Sequence, residues 1–372
     1  MRFLFIVQGE GRGHMTQAIS FAQLLSSQGH DLVAVMVGKS KRREIPAFFE
    51  REIKAPIRLV ESPNFECDGS EKTILLGKTL RKNFLRVGTF RKSLQTIHQL
   101  VTETQPDVIL NFYDLLGGLY NFFFRPKAQF WVIGHQYMIW HPDFRFAPHR
   151  RLEKILFQLN TKLTGLGADE VLGLSFLRPE KYASRVRVVP PLLRAEVKKL
   201  PVSEGDFYLA YMVNPGYGKE IIDYAKSHPN TKIKAYWDKK DAADRESPLP
   251  NLTFYRVNDK GFLEDMAACR GLICTAGFES VCEALYLGKR ILVIPVAGQY
   301  EQACNALEVL HAHIGKTAHH FDFFQLESSD LQQKDLSLDF RNWANAWHPI
   351  LENLLTPTLN QKATPTSQWS LT

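Results

Sequence analysis

The stretch from Thr275 to Asn305 reads TAGFESVCEALYLGKRILVIPVAGQYEQACN, and it decides the fold class of this chain. An apolar strand, Gly271 to Thr275, runs into Ala276-Gly277, a helix follows from about Phe278, and a second apolar strand extends from Arg290 to Pro295. Strands that alternate with helices in this way predict a parallel sheet and an α/β fold.

The start of the predicted helix is suited to an anion. Gly277 permits a tight turn and the close approach of a ligand. The first N–H groups of a helix have no partner inside it, and here they belong to Phe278, Glu279 and Ser280. Because these groups carry a partial positive charge, a diphosphate is the natural occupant. Glu283, one turn further on, can accept hydrogen bonds from a ribose diol.

The loop after the second strand adds polar groups for a sugar. Glu301 and Gln302 follow the strand end at Pro295 and a flexible Ala297-Gly298 turn. Open parallel sheets place their ligand contacts at such strand ends. Each feature alone is ordinary, since short glycine turns are common. Their joint spacing predicts a site for a nucleotide-activated sugar.

The spacing resembles the donor-binding segment of the GT-B glycosyltransferases, in both the family-1 branch (UDP-glycosyltransferases) and the family-28 branch (lipid II and galactolipid synthases). In these families a glycine precedes the ribose-binding glutamate by six residues, as Gly277 precedes Glu283. A strand-ending proline lies twelve residues beyond that glutamate, as Pro295 does. An acidic residue or Gln, then Gln, then two residues and Asn complete the pattern, matching Glu301, Gln302 and Asn305.

Upstream, Gly261 to Met266 resembles the family-28 segment whose backbone holds the uracil ring, which implies donor contacts at Phe262 and Leu263. Two departures concern the phosphates and the sugar. Thr275 stands where plant-type family-1 enzymes carry a phosphate-contacting His, and the loop from Pro295 to Glu301 is longer than in that branch. The resemblance therefore leaves the phosphate contact and the identity of the donor sugar open.

The amino terminus supplies a second predicted site. Arg2 to Val7 predicts a buried strand, followed by Gly9-Glu10-Gly11-Arg12-Gly13-His14 and a helix from about Thr16 to Ser27. This is not a dinucleotide fingerprint, since G-x-G-x-x-G requires glycine where His14 stands. The segment resembles the glycine-rich loop and histidine that follow the first strand of family-28 enzymes, which implies that it borders the acceptor and faces the donor across a cleft.

His14 is the predicted catalytic base, because an imidazole accepts a proton from a hydroxyl near neutral pH. Asp114, after the strand Val108 to Phe112, is predicted to orient the ring, as a strand-end aspartate does in many family-1 enzymes, although family-28 enzymes often lack it. Glu10 is the rival base, and the sequence leaves that choice open. The predicted acceptor-side residues are Gly11, Gly13 and His135.

The chain has 372 residues with 45% hydrophobic content, which is enough for two domains with separate cores. Each half opens with a strand and a glycine loop. In the second half this is Phe207 to Gly218, and its Gly216 is predicted to approach the diphosphate from the other side. We therefore predict a GT-B arrangement of two Rossmann-like, doubly wound parallel-sheet domains facing a cleft.

The predicted first domain, residues 1–190, lies on the acceptor side, and the second, residues 191–340, holds the donor. Two prolines, Pro190-Pro191, mark the linker. In GT-B proteins the final helix crosses back onto the first domain, which implies this course for residues 341–356. The polar tail, residues 357–372, is predicted to be disordered.

Charge is unevenly distributed along the chain. The net charge is +7, and residues 1–100, with 16 Lys and Arg against 9 Asp and Glu, account for this whole excess. Basic clusters occur at Lys39 to Arg43 and at Arg81-Lys82, Arg86 and Arg91-Lys92. Such clusters are usually solvated, but they also suit an anionic membrane surface or a phosphorylated acceptor. Nucleic acid is not expected as a partner, because no recognised binding motif accompanies the charge.

The run Leu115 to Phe124, LLGGLYNFFF, is interpreted as a core helix, with a surface for a lipid-linked acceptor as the alternative. It is shorter than the roughly 20 apolar residues of a bilayer span. The first apolar segment is broken by Gln8-Gly9-Glu10, so no signal peptide is expected. The five cysteines form no C-x-x-C pair. We predict a cytoplasmic protein, either soluble or peripheral on the inner face of the membrane.

The sequence therefore predicts a glycosyltransferase that moves a hexosyl or N-acetylhexosaminyl group from a nucleotide sugar, UDP-linked, to a lipid-linked, glycan or small-molecule hydroxyl acceptor. The resemblance implies inversion at the anomeric carbon. No metal is expected, since neither D-x-D nor H-E-x-x-H occurs, and no cofactor beyond the nucleotide-sugar co-substrate. The alternatives are a UDP-sugar 2-epimerase of the same fold and a non-catalytic nucleotide-sugar-binding protein.

Overall fold

The computed structural model describes residues 1–39, 45–63, 87–212, 215–239, 242–327 and 333–363. Within them, the strands form two seven-stranded sheets with helices packed against them. The predicted α/β class with two mainly parallel sheets is confirmed.

The first sheet consists of β1 (Arg2–Gln8), β2 (Asp31–Lys39), β3 (Ile57–Glu61), β4 (Val108–Phe112), β5 (Gln129–Gly134), β6 (Glu170–Leu174) and β7 (Arg187–Val189). Its strand order is β3-β2-β1-β4-β5-β6-β7, and every pair is parallel. Helices cover both faces, so the central strand β1 is apolar without alternation: Phe3 to Val7 are all fully buried. The order reverses between β1 and β4, which is where open parallel sheets form a ligand crevice.

The helices of this half are α1 (Arg12–Ser27), α2 (Ala47–Glu52), α3 (Val87–Thr104), α4 (Leu115–Phe124) and α5 (Arg151–Thr164). The start predicted for α1 at Thr16 was wrong. Gly11 takes the extended N-cap position, with φ −117° and ψ 138°, so His14 lies in the first turn of the helix and not in a loop. Gly13 is tolerated there because first-turn N–H groups need no partner inside the helix.

The helix α4 begins at its cap, Asp114, whose side chain accepts from the Leu116 backbone N–H. Gly118 allows α5 to approach closely, since a Cβ at that position would lie 1.9 Å from the Leu163 carbonyl oxygen. The interpretation of Leu115 to Phe124 as a core helix is right for the first part of the run only. Phe122 and Phe123 are 51% and 65% exposed.

The second sheet consists of β8 (Phe207–Met212), β9 (Lys232–Trp237), β10 (Arg245–Leu249), β11 (Leu252–Arg256), β12 (Gly271–Thr275), β13 (Arg290–Ile294) and β14 (Lys316–Thr317). Its order is β10-β11-β9-β8-β12-β13-β14, and only the β10-β11 pair is antiparallel. Here the order reverses between β8 and β12. The segment after β12 is the one that the sequence predicts to hold the diphosphate.

The remaining helices are α6 (Gly218–Ser227), α7 (Asp259–Ala268), α8 (Phe278–Tyr286), α9 (Tyr300–His311), α10 (Phe324–Glu327), α11 (Gln333–Ala344) and α12 (Trp347–Ala363). The carboxy-terminal region is thus two helices, where the sequence predicts one over 341–356. The backbone helix α12 also continues past Pro357 into the tail predicted to be disordered, because a proline removes one N–H donor without necessarily ending a helix. Residues 364–372 lie outside the described residues.

The carboxy-terminal helices contact the first half of the chain. The Trp347 indole N–H donates to the Pro191 carbonyl at 3.1 Å, and its ring packs edge-on against Phe21 with 5.6 Å between centroids. The Trp343 indole N–H donates to the Ser175 carbonyl at 3.1 Å. Helices α11 and α12 therefore pack across from the second sheet to the first.

Two predictions about the surface have partial outcomes. Residues 40–44 and 64–86 lie outside the described residues, so the basic clusters predicted there have no structural account, whereas Arg91 and Lys92 are exposed on α3. None of the helices among the described residues combines the length and the apolar character that crossing a bilayer requires.

Candidate functional site

A cavity of about 500 Å³ lies between the two halves, at the carboxyl ends of both sheets. One wall is formed by the loop after β1, the start of α1 and the turn after β5. The other is formed by the starts of α7, α8 and α9. Its volume falls in the range of roughly 300–1,000 Å³ that is usual for small-molecule sites.

Most of the predicted site residues line this cavity. They are Glu10, Gly11, Gly13, His14, His135, Phe262, Gly277, Phe278, Glu279, Ser280, Glu283, Glu301 and Gln302. Four predicted residues are not part of its wall, namely Asp114, Gly216, Leu263 and Thr275. Leu263 and Thr275 are instead buried in the second half, at 4% and 1% exposure.

Gly277 is the N-cap of α8, and its conformation is ordinary. Its φ of −80° and ψ of 136° suit any residue, so the turn itself does not require glycine. The nearest protein atoms to a Cβ at this position, the Ser280 hydroxyl and the Thr275 carbonyl, would both be 3.7 Å away. Among the described residues, no side chain caps the helix. The glycine therefore leaves open the space above the first N–H groups, on the side where a ligand would approach.

His14 is buried and held in one tautomer by an amide. Its Nδ1 lies 3.1 Å from Gln17 Oε1, while Gln17 Nε2 donates to Glu279 Oε1 at 2.6 Å. Because the amide N–H group is used on Glu279, the amide oxygen faces the ring, and His14 Nδ1 must carry the proton. Burial lowers the pKa of His14 to about 4, although the Gln17 contact opposes the shift. The ring is therefore neutral at pH 7, with the lone pair on Nε2.

The Nε2 atom of His14 faces Gln136, which lies in the turn after β5. Gln136 Nε2 is 3.4 Å away, a weak contact, and the same amide donates to Glu301 Oε1 at 2.9 Å. Burial raises the pKa of Glu301. The Tyr113 ring stacks on the imidazole with 5.6 Å between centroids. These contacts direct the basic nitrogen of His14 toward the second half of the molecule.

The prediction that Asp114 orients His14 is not supported by the contacts. Asp114 accepts hydrogen bonds from the Ser62 hydroxyl at 3.0 Å and from the Leu116 N–H at 2.8 Å. It is fully buried, and this burial raises its pKa to about 6. As the cap of α4, the carboxylate is held by Ser62 and Leu116, and the contact with His14 Nδ1 is made by Gln17.

Glu283, the predicted ribose ligand, is already paired with Arg194. The guanidinium donates to both carboxylate oxygens, at 2.6 and 2.7 Å, and Glu283 is 2% exposed. Burial alone would lower the pKa of Arg194, but the Glu283 carboxylate outweighs it and raises that pKa overall. A ribose at this point must therefore share Glu283 with Arg194, since both carboxylate oxygens have a donor.

His135 joins the two halves. Its ring stacks on Phe278 with 4.2 Å between centroids, Nδ1 lies 2.7 Å from the Leu174 carbonyl, and Nε2 lies 2.6 Å from Glu308 Oε2. Burial opposes the charged form, but the Glu308 carboxylate raises the pKa of His135 overall. Because Nδ1 faces a backbone carbonyl and Nε2 faces a carboxylate, both ring nitrogens are engaged, and His135 supports the start of α8.

Three side chains that are not among the predicted site residues also shape this site. Gln17 lies three residues after His14 on one helix face, a spacing that identifies a neighbour. Gln136 adjoins the predicted His135, and nothing in the sequence distinguishes its amide. Arg194 follows a proline-rich linker without any periodic pattern that would place it in a cavity.

Solved structures similar to this one include glycosyltransferases. The glycotransferase of kitacinnamycin is 15% identical, with a TM-score of 0.62, and the match covers 96% of this chain and 99% of that one. UGT2 of Phytolacca americana, complexed with UDP-2fluoro-glucose and pterostilbene, is 11% identical with a TM-score of 0.64, covering 96% and 99%. MurG of Acinetobacter baumannii is 15% identical with a TM-score of 0.54, covering 95% and 99%. No curated protein matches the chain significantly in sequence.

Two Rossmann-like sheets facing a common cleft, together with these neighbours, define a GT-B fold of the glycosyltransferase class. The model of glycosyl transferase family 1 matches residues 1–332, and the chain belongs to that family. Sugar transfer is therefore its activity class. Among the described residues, no group of three His, Cys, Asp or Glu side chains is arranged to hold a metal ion.

The tautomer of His14 can be checked directly. We expect a long-range ¹H–¹⁵N spectrum at pH 7 to show this imidazole neutral and protonated at Nδ1, because Gln17 presents its amide oxygen to that atom. On acidification the ring should remain neutral until the pH approaches about 4. The H14A variant, which lacks the signal, assigns it. A ring protonated at Nε2, or one that is charged at pH 6, would contradict the hydrogen-bond arrangement.

Proposed function

We propose that this protein transfers a sugar from a UDP-linked donor to a hydroxyl acceptor, with His14 as the base. One observation carries the proposal: the uncapped start of α8 and the neutral His14 line one cavity from opposite halves and are connected through Gln17. A leaving diphosphate and an attacking hydroxyl require such groups on opposite sides of the reacting carbon. The neighbour complexed with UDP-2fluoro-glucose supports a uridine nucleotide as the donor.

The reaction is a single displacement at the anomeric carbon. His14 Nε2 takes the proton from the acceptor hydroxyl as its oxygen forms the new bond to that carbon. The bond to the diphosphate oxygen breaks, and UDP leaves with the electron pair. The partial positive charge at the start of α8 stabilises the negative charge that develops there. Attack from the side opposite the leaving group inverts the anomeric configuration.

The donor is placed by groups of the second half. Phe262, on α7, lines the cavity and packs against Tyr211 with 5.0 Å between ring centroids, which offers an apolar wall for the uracil ring of the donor. Arg194 and Glu283 lie one turn below the helix start, near the expected ribose. Glu301 lies at the start of α9 in reach of the sugar. Its bond to Gln136 leaves it further acceptor capacity for a sugar hydroxyl.

His14 is preferred over Glu10 as the base because its protonation state is defined. The Gln17 amide fixes the proton on Nδ1, so the lone pair on Nε2 is available without a prior proton transfer. A pKa lowered by burial makes the imidazole a weaker base than it would be in water. No specific observation favours the epimerase or the non-catalytic alternative.

The donor site can be tested with UDP alone. Wild-type protein should be stabilised by UDP, with the melting temperature rising as the ligand concentration exceeds the dissociation constant. G277V should lose this shift, because its side chain fills the space above the first N–H groups of α8, while its own melting temperature changes little. G11A is the matched control on the opposite wall, where a Cβ meets no atom within 4 Å. If UDP stabilised G277V as much as it stabilises the wild type, the diphosphate would not bind at the start of α8.

The base can be identified by comparing H14A with E10Q. With a productive donor and acceptor pair, H14A should lose about 10²- to 10⁴-fold in turnover and keep its UDP affinity. E10Q should remain active if Glu10 only lines the cavity. Wild-type activity should hold as the pH falls from 7 to about 5, because the pKa of His14 is lowered to about 4. Retained turnover in H14A, together with its loss in E10Q, would reassign the base.

We further propose an apolar or lipid-linked acceptor that is taken from a membrane surface. Helix α5 supports this through its two faces. Leu156 and Phe157 line the cavity, whereas Leu152, Ile155 and Leu159 form an apolar stripe that is 61%, 59% and 50% exposed. Arg151 and Lys162, which flank the stripe on α5, are also exposed. Apolar side chains beside cations suit an anionic lipid surface.

Vesicle binding tests this surface. Wild-type protein should co-sediment with vesicles of mixed zwitterionic and anionic phospholipids, and less so in high salt. The triple variant L152S/I155S/L159S should lose most of this binding without unfolding, because its three side chains are solvent-exposed. The control F324S/L338S removes two exposed apolar side chains of the second half and should bind as the wild type does. Equal losses in both variants would argue against α5 as the contact.

A further inference from the structure

The first turn of α8 carries an acidic side chain where the proposed donor has its most negative group. Glu279 is the second residue of the helix and lines the cavity. An ionised carboxylate there would offset the partial positive charge at the helix start and would repel a diphosphate. The immediate surroundings of Glu279 indicate how this conflict is resolved.

The two carboxyl oxygens of Glu279 have different environments. Oε1 accepts the hydrogen bond from Gln17 Nε2 at 2.6 Å. Oε2 is enclosed and has no hydrogen-bond partner among the described residues. An ionised carboxylate with one enclosed, unpaired oxygen is costly. A proton on the carboxyl group removes this charge, while Oε1 keeps its contact with the Gln17 amide.

The charged groups around Glu279 do not compensate a negative charge there. Glu283, one turn further along α8, repels it, and Arg194 attracts it but donates to both oxygens of Glu283. Cys282 is a buried thiol of the same helix. On α1 the facing group is Gln17, with the neutral His14 behind it. Burial, the largest cause, raises the pKa of Glu279 to about 8, against the opposing effect of the Gln17 bond.

We propose that Glu279 is a neutral carboxylic acid when the donor binds, so that the diphosphate reaches the start of α8 without a like charge beside it. The proposal rests on the proposed function, since it requires the diphosphate at the start of α8. Because Oε2 is enclosed, the acid acts through the loss of its charge and not through a contact with the ligand. Gln17 keeps its bond to Oε1, so the contact that fixes the tautomer of His14 persists when the donor binds.

This arrangement makes donor binding dependent on pH. Below about pH 8 the proton is already present on Glu279, and binding needs no further proton. Above that pH the free protein loses the proton, and the diphosphate restores it by raising the pKa further. UDP binding should therefore take up a proton near pH 8, and its affinity should fall by up to about tenfold per pH unit above it.

Calorimetry on the full chain can measure this linkage. UDP is titrated at pH 8 into wild-type protein in buffers that differ in ionisation enthalpy, and its affinity is followed from about pH 6.5 to 9, on both sides of the raised pKa. E279Q keeps a donor and an acceptor in place of the neutral acid. It should bind UDP within about threefold of wild type at pH 7 and lack the wild-type excess of proton uptake. E279L is uncharged as well and should bind UDP within about threefold of E279Q, likewise without that excess.

D114N is the matched control. Asp114 is another buried acid whose pKa is raised by burial, but it caps α4 and is not part of the cavity wall. Its proton uptake on binding UDP should equal that of the wild type. The phosphate and uracil of UDP titrate equally in every variant, so the difference from E279Q isolates Glu279. Circular dichroism establishes that each variant is folded.

The possible results separate the two proposals. If wild-type protein does not bind UDP, both the proposed donor site and the role of Glu279 are wrong. If wild-type protein binds UDP with the same proton uptake as E279Q, the protonation of Glu279 is not linked to the donor, and only this inference is overturned. If E279Q and E279L both bind UDP at least tenfold more weakly than wild type at pH 7, the ionised carboxylate is what the donor needs, which likewise overturns the role of Glu279 and leaves the donor site in place.

Discussion

The hydrogen bond from Gln17 to Glu279 is the contact on which the rest of the site depends. It crosses the cleft between α1 and α8, and at 2.6 Å it is short for an amide donor. An amide has one donor end and one acceptor end, so its orientation toward Glu279 also fixes which nitrogen of His14 carries the proton. The Gln17 side chain thus sets both the position and the protonation of the His14 ring on one wall relative to the start of α8 on the other wall.

The charges of the cavity are unusual for a site that receives a diphosphate. Among the described residues of its wall, the acidic ones are Glu10, Glu153, Asp238, Asp259, Glu279, Glu283 and Glu301, and the guanidinium groups are those of Arg12 and Arg194. Arg12 itself lies 3.8 and 3.9 Å from the carboxylates of Asp238 and Asp259. Within this described part of the wall, attraction for an anion comes mainly from oriented backbone N–H groups and from the neutralisation of nearby acids. A helix start with an open glycine meets the first requirement, and burial of a carboxyl group meets the second.

Much of this fold could be predicted because local signals coincide with the boundaries. The bounds of β4 and β12 and the start of α8 agree with the sequence to the residue, since each apolar run ends at a polar residue or a glycine. The start of α1 was placed four residues late, because Gly11 and Gly13 resemble a loop whereas only Gly11 lies outside the helix. Residues that directly follow strands, such as His14 and Gly277, could be assigned to a common edge from the topology of parallel sheets.

Contacts that form only when the two halves meet could not be predicted in the same way. Arg194 and Glu283 are 89 positions apart in sequence, and nothing local links them. Asp114 was assigned to His14 by analogy, but its cap position commits it to α4 and Ser62. The amide of Gln17 finds Glu279 across 262 positions. Side-chain pairing of this kind depends on how whole domains pack, which periodicity does not encode.

The bond between Trp347 and Pro191 has a mechanical consequence. The chain passes between the domains twice, once after β7 and once between α11 and α12, and this contact brings the two passages side by side. Two adjacent covalent connections favour a hinge motion. The halves can rotate about the line through the two connections, whereas sliding or twisting of one half against the other is resisted. Substrate entry and product release would then use the same hinge opening, in which the two walls of the cavity rotate apart.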